Sequence, residues 1–161
     1  MATYVVQLQR IWRDYEAAGM PTPATAKEVA GWAVSKGLLQ PREHDPIADL
    51  AEDLARAWRE EYRIDDKGRR YRAKHAVKIT TSGVQYAFWA DMDSAPHSHI
   101  QKALGQRRQQ IVADCYQLKV DADCYNDANT ERPPIQIVLD FTQDVAELQA
   151  LDKKGDDDEA A

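Results

Sequence analysis

The sequence predicts an α+β fold in which three helices and a β-hairpin precede a second hairpin, one long helix, a strand and a short C-terminal helix. Three observations support this prediction. Apolar residues recur at helical spacing in three segments before residue 62. Turn-forming residues typical of β-hairpins follow at 65–68 and 81–83. An apolar stripe then repeats through about 30 residues, well beyond the length of an average globular helix.

Two helices with clear end signals open the chain. Thr3 can cap the first, which ends before Gly19 and has an apolar face made of Tyr4, Leu8, Ile11, Trp12 and Tyr15. The second begins after Thr25, and Glu28 three residues later completes a capping-box pattern. It ends before Gly37. Both helices are predicted to face a hydrophobic core.

A third helix and a basic hairpin follow. Asp45 and Pro46 are typical of a helix start, and the expected buried face consists of Ile47, Leu50, Ala51, Leu54, Trp58 and Tyr62. The turn Asp65–Gly68 suits a hairpin in which Gly68 takes a positive φ. Three helices followed by a hairpin is the layout of a winged helix-turn-helix. We therefore predict such a module in residues 1–75, with the hairpin as its wing.

Residues 76–151 are predicted to form an α+β extension. A hairpin is expected between 76–79 and 84–89, followed by a long helix over 95–126, a strand at 135–141 and a short helix from Thr142 to Leu151. The strand needs a neighbour, and the second hairpin can provide one within the chain or across a dimer. The acidic tail at 152–161 is predicted to be unstructured, serving solubility or competing for the basic residues.

The long helix is expected to pair two copies of the chain. At about 1.5 Å per residue it is too long to lie within a compact domain of this size, so it projects or meets a partner. Its apolar stripe predicts a homodimer formed through Ile100, Leu104, Ile111, Leu118 and Tyr125.

Basic residues are concentrated around the predicted wing, although the chain as a whole has a net charge of −6. Residues 56–78 contain nine Lys or Arg against four Asp or Glu, a net charge of +5. A basic patch in an acidic chain is typical of a nucleic-acid footprint. The predicted phosphate contacts, with double-stranded DNA as the expected partner, are Arg56, Arg59, Arg63, Lys67, Arg69, Arg70, Arg72 and Lys74. A merely solvated hairpin is the alternative.

Residues 20–72 resemble the HARE-HTH family of winged-helix domains. The resemblance lies in MPTPATAKEVAGWAVSKGLLQPREHDPIADLAEDLARAWREE and in the wing-like YRIDDKGRRYR. It implies a winged helix-turn-helix fold and work linked to nucleic acid, such as transcriptional regulation, since the family occurs in DNA-modification and chromatin-associated proteins. The family also includes the delta subunit of bacterial RNA polymerase. No family is suggested by residues 79–161.

The third helix suggests a different function. Its solvent face carries acidic residues that phosphates would repel, namely Asp49, Glu52, Asp53 and Glu60. The alternative to DNA binding is therefore an adaptor or inhibitor that uses this face on a protein partner in nucleic-acid metabolism. The polar run Gln106–Gln110 could also touch nucleic acid, but a register-setting layer or a solvated face is the preferred interpretation.

Other function classes find little support in the sequence. No nucleophile with a base and no glycine-rich phosphate loop is evident, so we expect neither an enzyme nor a cofactor. The segment from Asp91 to His99 could supply metal ligands, but His97 and His99 diverge on a helix, and we expect no metal. Cys115 and Cys124 are expected to be free thiols. Without a signal peptide or membrane span, the cytoplasm is the expected location.

Overall fold

The computed structural model describes residues 3–159, with side chains described for residues 3–153. In chain order the helices and strands are α1 (Tyr4–Ala17), α2 (Ala26–Ser35), α3 (Pro46–Glu60), β1 (Tyr62–Ile64), β2 (Arg70–Arg72), β3 (Lys74–Thr81), β4 (Val84–Asp91), α4 (His97–Ala128) and α5 (Thr142–Glu159). This is a mixed helix and sheet structure, so the predicted α+β class is confirmed. The chain divides into two compact units, Met1–Asp49 and Leu50–Ala161.

The first unit is built on α1 and α2, whose ends are set by local side chains. The Thr3 hydroxyl accepts from the Val6 backbone N–H, and Thr25 and Glu28 form the predicted capping box. A small core joins the two helices and consists of Ile11, Tyr15, Val29 and Ala33, with Met20, Ala24, Trp32 and Leu39 packed against it.

Tyr15 links this core to the loop after α1. The side chain is 4% exposed, its ring meets the Trp32 ring edge-on at 5.4 Å, and its hydroxyl donates to the Pro21 carbonyl at 3.1 Å. We expect Tyr15→Phe to lower the free energy of unfolding by about 1 kcal/mol, because the substitution leaves that carbonyl unpaired. Tyr4→Phe, at an exposed position, is the control. Hydrogen exchange of the α1 amides measures both variants, and equal protection would contradict the role of this bond.

Most of the α3 face predicted to be buried is exposed in the structure, although Trp58 is half-buried against the Trp89 ring. Ile47, Leu50 and Leu54 are 74%, 58% and 50% exposed, and no described side chain of α3 is buried. The helix spans the boundary between the two units, and the core of the first unit does not include it. The winged helix-turn-helix arrangement would need α3 packed against α1 and α2, so it stays a prediction.

Both predicted hairpins are present. β1 pairs antiparallel with β2, and Gly68 in the turn between them has φ 75°. β3 pairs antiparallel with β4 over eight residue pairs. Their two-residue turn has positive φ at Ser82 and Gly83, which matches the right-handed twist of the flanking strands. The register places Ala76 opposite Trp89 and thereby decides which side chains share each face of the sheet.

The predicted long helix is confirmed as α4, which packs against β3. Gln106 on α4 binds the open edge of β3: its side chain accepts from the Lys78 N–H at 2.7 Å and donates to the Lys78 carbonyl at 2.8 Å. Ala103, which is fully buried, lets the helix approach the strand closely.

No described helix is both long and apolar enough to cross a membrane.

The structure corrects two predictions at the C-terminal end. Residues 135–141 do not form a strand, and no described strand pairs with them; the Asn126 side chain binds both backbone groups of Ile135 instead. The last helix is not short, and residues 152–159 are helical where an unstructured tail was predicted. Extending a helix needs no new nucleus, so α5 continues into the acidic residues. Residues 160 and 161 lie outside the described residues.

Candidate nucleic-acid interface

The wing, defined here as residues 62–72, is ordered by Asp65. One carboxylate oxygen of Asp65 accepts from the backbone N–H groups of Lys67 and Arg69 at 3.0 and 2.8 Å. The other oxygen accepts from the Arg69 side chain at 2.8 Å, which holds the pKa of the Asp65 carboxyl below its ordinary value. Lys67 stays exposed on the turn. Much of the charge of Arg69 is therefore balanced within the wing.

The guanidinium of Arg63 is bound to two carboxylates. Its two terminal nitrogens donate to Asp91 at 2.7 and 2.5 Å, and one also donates to Asp93 at 2.7 Å. The Tyr71 hydroxyl donates to Asp93 at 3.1 Å. These bonds raise the pKa of Arg63 and hold the pKa of Asp91 well below its usual range. Contact between Arg63 and a phosphate would require breaking this cluster, which ties the wing to the end of β4.

Three other predicted phosphate contacts also pack against protein groups. The Arg59 guanidinium lies 5.6 Å from the centre of the Trp89 ring, and that of Arg70 lies 4.0 Å from the Tyr62 ring. Such cation–aromatic contacts leave the guanidinium edge able to bind an anion. Lys74 forms an ion pair with Glu61. Arg56 remains exposed beside Asp53, at 3.5 Å.

A groove between the β3–β4 hairpin and α4 gathers basic residues from several elements. It has a volume of about 760 Å³, and we call it the basic groove. Six bases line it, namely Arg59, Arg72, Lys74, Lys78, Lys102 and Arg107. Four glutamines add donors and acceptors, and no Asp or Glu is among the described lining residues. Apart from Lys74, none of the six forms a salt bridge with a described residue.

The charges inside the basic groove repel one another. Arg107 is exposed overall, but partial desolvation of its side chain and then the positive charge of Arg72 lower its pKa from the ordinary value. An unbalanced pair of like charges is unfavourable, and an anion bound between them would relieve the repulsion. The groove therefore carries an excess of positive charge.

His75 forms part of the same groove without adding to its charge. The side chain is 5% exposed, and burial lowers its pKa. Its Nε2 lies 3.1 Å from the Arg72 carbonyl, which can only accept, so Nε2 carries the proton. Nδ1 is then an acceptor and has no partner among the described residues. His75 is thus a neutral side chain that holds the backbone of Arg72 in position.

Sequence reasoning missed three of the six bases that line the groove. Arg59, Arg72 and Lys74 were predicted as phosphate contacts, whereas Lys78, Lys102 and Arg107 were not assigned to the site. A signal for Arg107 was present in the polar run Gln106–Gln110. Gln106 binds the edge of β3, and Arg107 turns into the groove, so this run belongs to the site.

The remaining predicted residues lie elsewhere. The four acidic residues predicted on the solvent face of α3 are exposed: Asp49, Glu52, Asp53 and Glu60. Along the α4 stripe, Ile100 is half-buried and the other four are exposed: Leu104, Ile111, Leu118 and Tyr125. Asp91 and Asp93 bind Arg63, and no group of three potential metal ligands occurs among residues that the structure describes.

The candidate interface thus consists of a wing fastened to β4 and, beside α4, a groove with an excess of positive charge. Comparison of the chain with protein-family models, with curated proteins and with solved structures finds no match.

Proposed function

We propose that this protein is a non-catalytic DNA-binding factor, either a transcriptional regulator or an accessory protein of nucleic-acid metabolism. The observation that supports it most is the basic groove, which is lined by six bases and by no carboxylate among the described residues. Proteins bind nucleic acid mainly by neutralising phosphates with Lys and Arg. The resemblance of residues 20–72 to HARE-HTH domains points in the same direction.

The groove would hold the phosphate backbone of one strand. Its volume is typical of sites that enclose small ligands, so it has room for a short stretch of backbone and not for a whole duplex. The wing would lie along the same strand, with Lys67 and the exposed edges of Arg69 and Arg70 as additional contacts. Such contacts position a protein on DNA without reading its sequence. We therefore propose binding with little dependence on base sequence.

Salt dependence tests this proposal directly. Five groove bases lack a carboxylate partner, and each neutralised phosphate contributes about −0.9 to the log–log slope of affinity against salt, so the groove alone is expected to give a slope of about −4.5 and wing contacts would make it steeper. Fluorescence anisotropy with a labelled random-sequence duplex, measured over a series of salt concentrations, gives the slope. A second random sequence should bind with similar affinity. Absence of binding even at low salt would exclude the proposal.

A second candidate function rests on the exposed face of α3. There Ile47, Leu50 and Leu54 form an exposed apolar stripe on one side of the helix, and the acidic residues form an exposed face on the opposite side. An acidic face suits a basic partner surface, and an exposed apolar stripe on the same helix suits an apolar groove beside it. In that case the protein is an adaptor or inhibitor acting on a nucleic-acid-handling partner. Leu50→Asp would abolish partner binding under this alternative and leave the affinity for DNA unchanged.

A further inference from the structure

The hairpin face that lines the basic groove carries one aromatic residue among short side chains. In the register of β3 with β4, Ala76 lies directly opposite Trp89, and Ala87 precedes Trp89 by two positions on the same face. All three residues line the groove. Because an alanine side chain ends at Cβ, these two neighbours leave space beside the indole. The groove therefore contains an apolar, aromatic surface in addition to its positive charge.

The indole of Trp89 is held in place by α3. Two consecutive residues contact it: the Trp58 ring lies 5.4 Å away with its plane tilted by 59°, and the Arg59 guanidinium lies 5.6 Å from its centre. Trp89 is nevertheless only half-buried, so part of its side chain remains open to the groove. An aromatic group that is already fixed loses little conformational freedom when a second flat group stacks on it.

The polar side chains of the groove also suit a nucleobase. Two of its four glutamines, Gln85 and Gln109, have amide groups that form no hydrogen bond with a described residue. An amide both donates and accepts, as the edge of a nucleobase does, whereas phosphate oxygens only accept. The groove thus combines cations that suit phosphates with amide and aromatic groups that suit a nucleobase.

The basic residues are spread too widely for one phosphate. Lys74 and Lys78 are about 13 Å apart along β3, and Lys102 and Arg107 are about 7.5 Å apart along α4. A free nucleotide would occupy one part of the groove, whereas a chain of nucleotides would bring a phosphate to each part. In a duplex, neighbouring base pairs cover both faces of every nucleobase, so none can stack on Trp89. A positively charged groove with an aromatic side chain is typical of sites for single strands.

From these observations we propose that the basic groove binds single-stranded DNA, with phosphates on its basic residues and one unpaired nucleobase stacked on Trp89. This inference rests on the proposed nucleic-acid function and names the form of DNA that uses the whole groove. A duplex would contact the same basic residues through its phosphates and leave the indole without a partner.

Removal of the nucleobases tests the stacking without changing the phosphates. Fluorescence anisotropy compares a labelled oligothymidylate with a strand of the same length in which every nucleobase is replaced by an abasic site. Stacking of one nucleobase on an aromatic side chain strengthens binding about fivefold or more, so the oligothymidylate should have the lower Kd by at least that factor. Equal Kd values would overturn this inference and leave phosphate binding intact. Absence of binding to both strands and to a duplex would exclude the proposed function as well.

Two further ligands separate a single strand from other sources of a nucleotide. Annealing the complementary strand to the oligothymidylate covers its nucleobases and should raise the Kd. Thymidine monophosphate, at the same concentration of nucleotide, should displace little of the labelled oligothymidylate, because it fills only one part of the groove. Tighter binding of the duplex, or full displacement by the monophosphate, would overturn the proposal.

Trp89→Leu tests the stacking residue. The variant should bind the oligothymidylate no more tightly than the abasic strand, and its affinity for the abasic strand should equal that of the wild type. Phe88→Leu is the matched control, because it removes an aromatic side chain that is 53% exposed on the opposite face of the same strand. It should keep the full preference for the oligothymidylate. An equal loss of affinity for both strands in Trp89→Leu would indicate a purely structural role and overturn the proposal.

A second variant leaves the contact between Trp89 and Trp58 intact. Ala87 is exposed, and Ala87→Leu places a larger side chain beside the indole, where the nucleobase would lie. This variant should lose most of the preference for the oligothymidylate over the abasic strand, whereas Ala87→Ser, which is close to alanine in size, should retain it. An unchanged preference in Ala87→Leu would overturn the position given to the nucleobase.

Discussion

Reversing the charge of Arg107 together with that of Lys78 is expected to reduce the affinity for duplex DNA more than a hundredfold. Both residues line the basic groove, from α4 and β3 respectively. Each substitution to Glu removes a charge-assisted hydrogen bond, worth about 1.5–3 kcal/mol, and adds repulsion of the phosphate. A loss of about 1.4 kcal/mol is a tenfold loss of affinity, so the two positions together account for the expected effect.

Arg108 provides a matched control on the same helix. It follows Arg107 in the sequence and is exposed, but it does not line the groove. A variant with Arg108→Glu and Arg132→Glu has the same net charge as the groove variant and should lose only a few-fold in affinity, because screening weakens distant charges. Anisotropy titrations at one salt concentration compare the two variants. Equal losses would mean that net charge, and not the groove, governs binding.

The second large effect is expected for Arg63→Ala, which should make the wing less ordered. This substitution leaves Asp91 and Asp93 without their common cation and removes the contacts between the wing and β4. Hydrogen exchange of the β1 and β2 amides should become much faster, and the melting temperature should fall. Arg63→Lys should keep only part of the wild-type protection and melting temperature, because an ammonium cannot make the bidentate bond. Arg70→Ala, which removes a cation from the Tyr62 ring, should have little effect on wing protection.

The outcome also decides between the two roles considered for Arg63. If the wing keeps its protection in Arg63→Ala while DNA affinity falls sharply, Arg63 contacts phosphate, as the sequence predicts. If protection is lost in parallel with melting temperature, its main role is to fasten the wing.

The Arg63 cluster also predicts an acid-sensitive step. Arg63 lowers the pKa of Asp91 in the folded chain, while the unfolded chain has the ordinary Asp value of about 3.9. The contribution of Asp91 to stability is therefore complete above pH about 3.9 and is lost progressively as the pH falls below it. Melting temperatures measured over this range should show a steeper acid-side decline for the wild type than for Arg63→Ala. Parallel curves would contradict the linkage.

The ends of the elements follow from the sequence because they depend on near neighbours. The Thr25–Glu28 capping box, the glycine of the wing turn and the Ser82–Gly83 turn each involve groups within four residues of one another. The long helix was predictable for a related reason, since its apolar stripe and the absence of an internal proline are visible along the chain. Residues 135–141 show the limit of this reasoning. Their alternation is typical of a strand, but a strand also needs an available edge.

What the sequence determined about this protein is its series of helices and turns and the concentration of basic residues around the wing. Only the tertiary structure decided which of those bases are paired with carboxylates, because the partners of Arg63 lie 28 and 30 residues further along the chain. It also decided the site, since Lys78 and Arg107 face one groove only when α4 packs on β3. Charge along a chain is local information, whereas the balance of charge depends on contacts between distant residues, which a linear pattern does not contain.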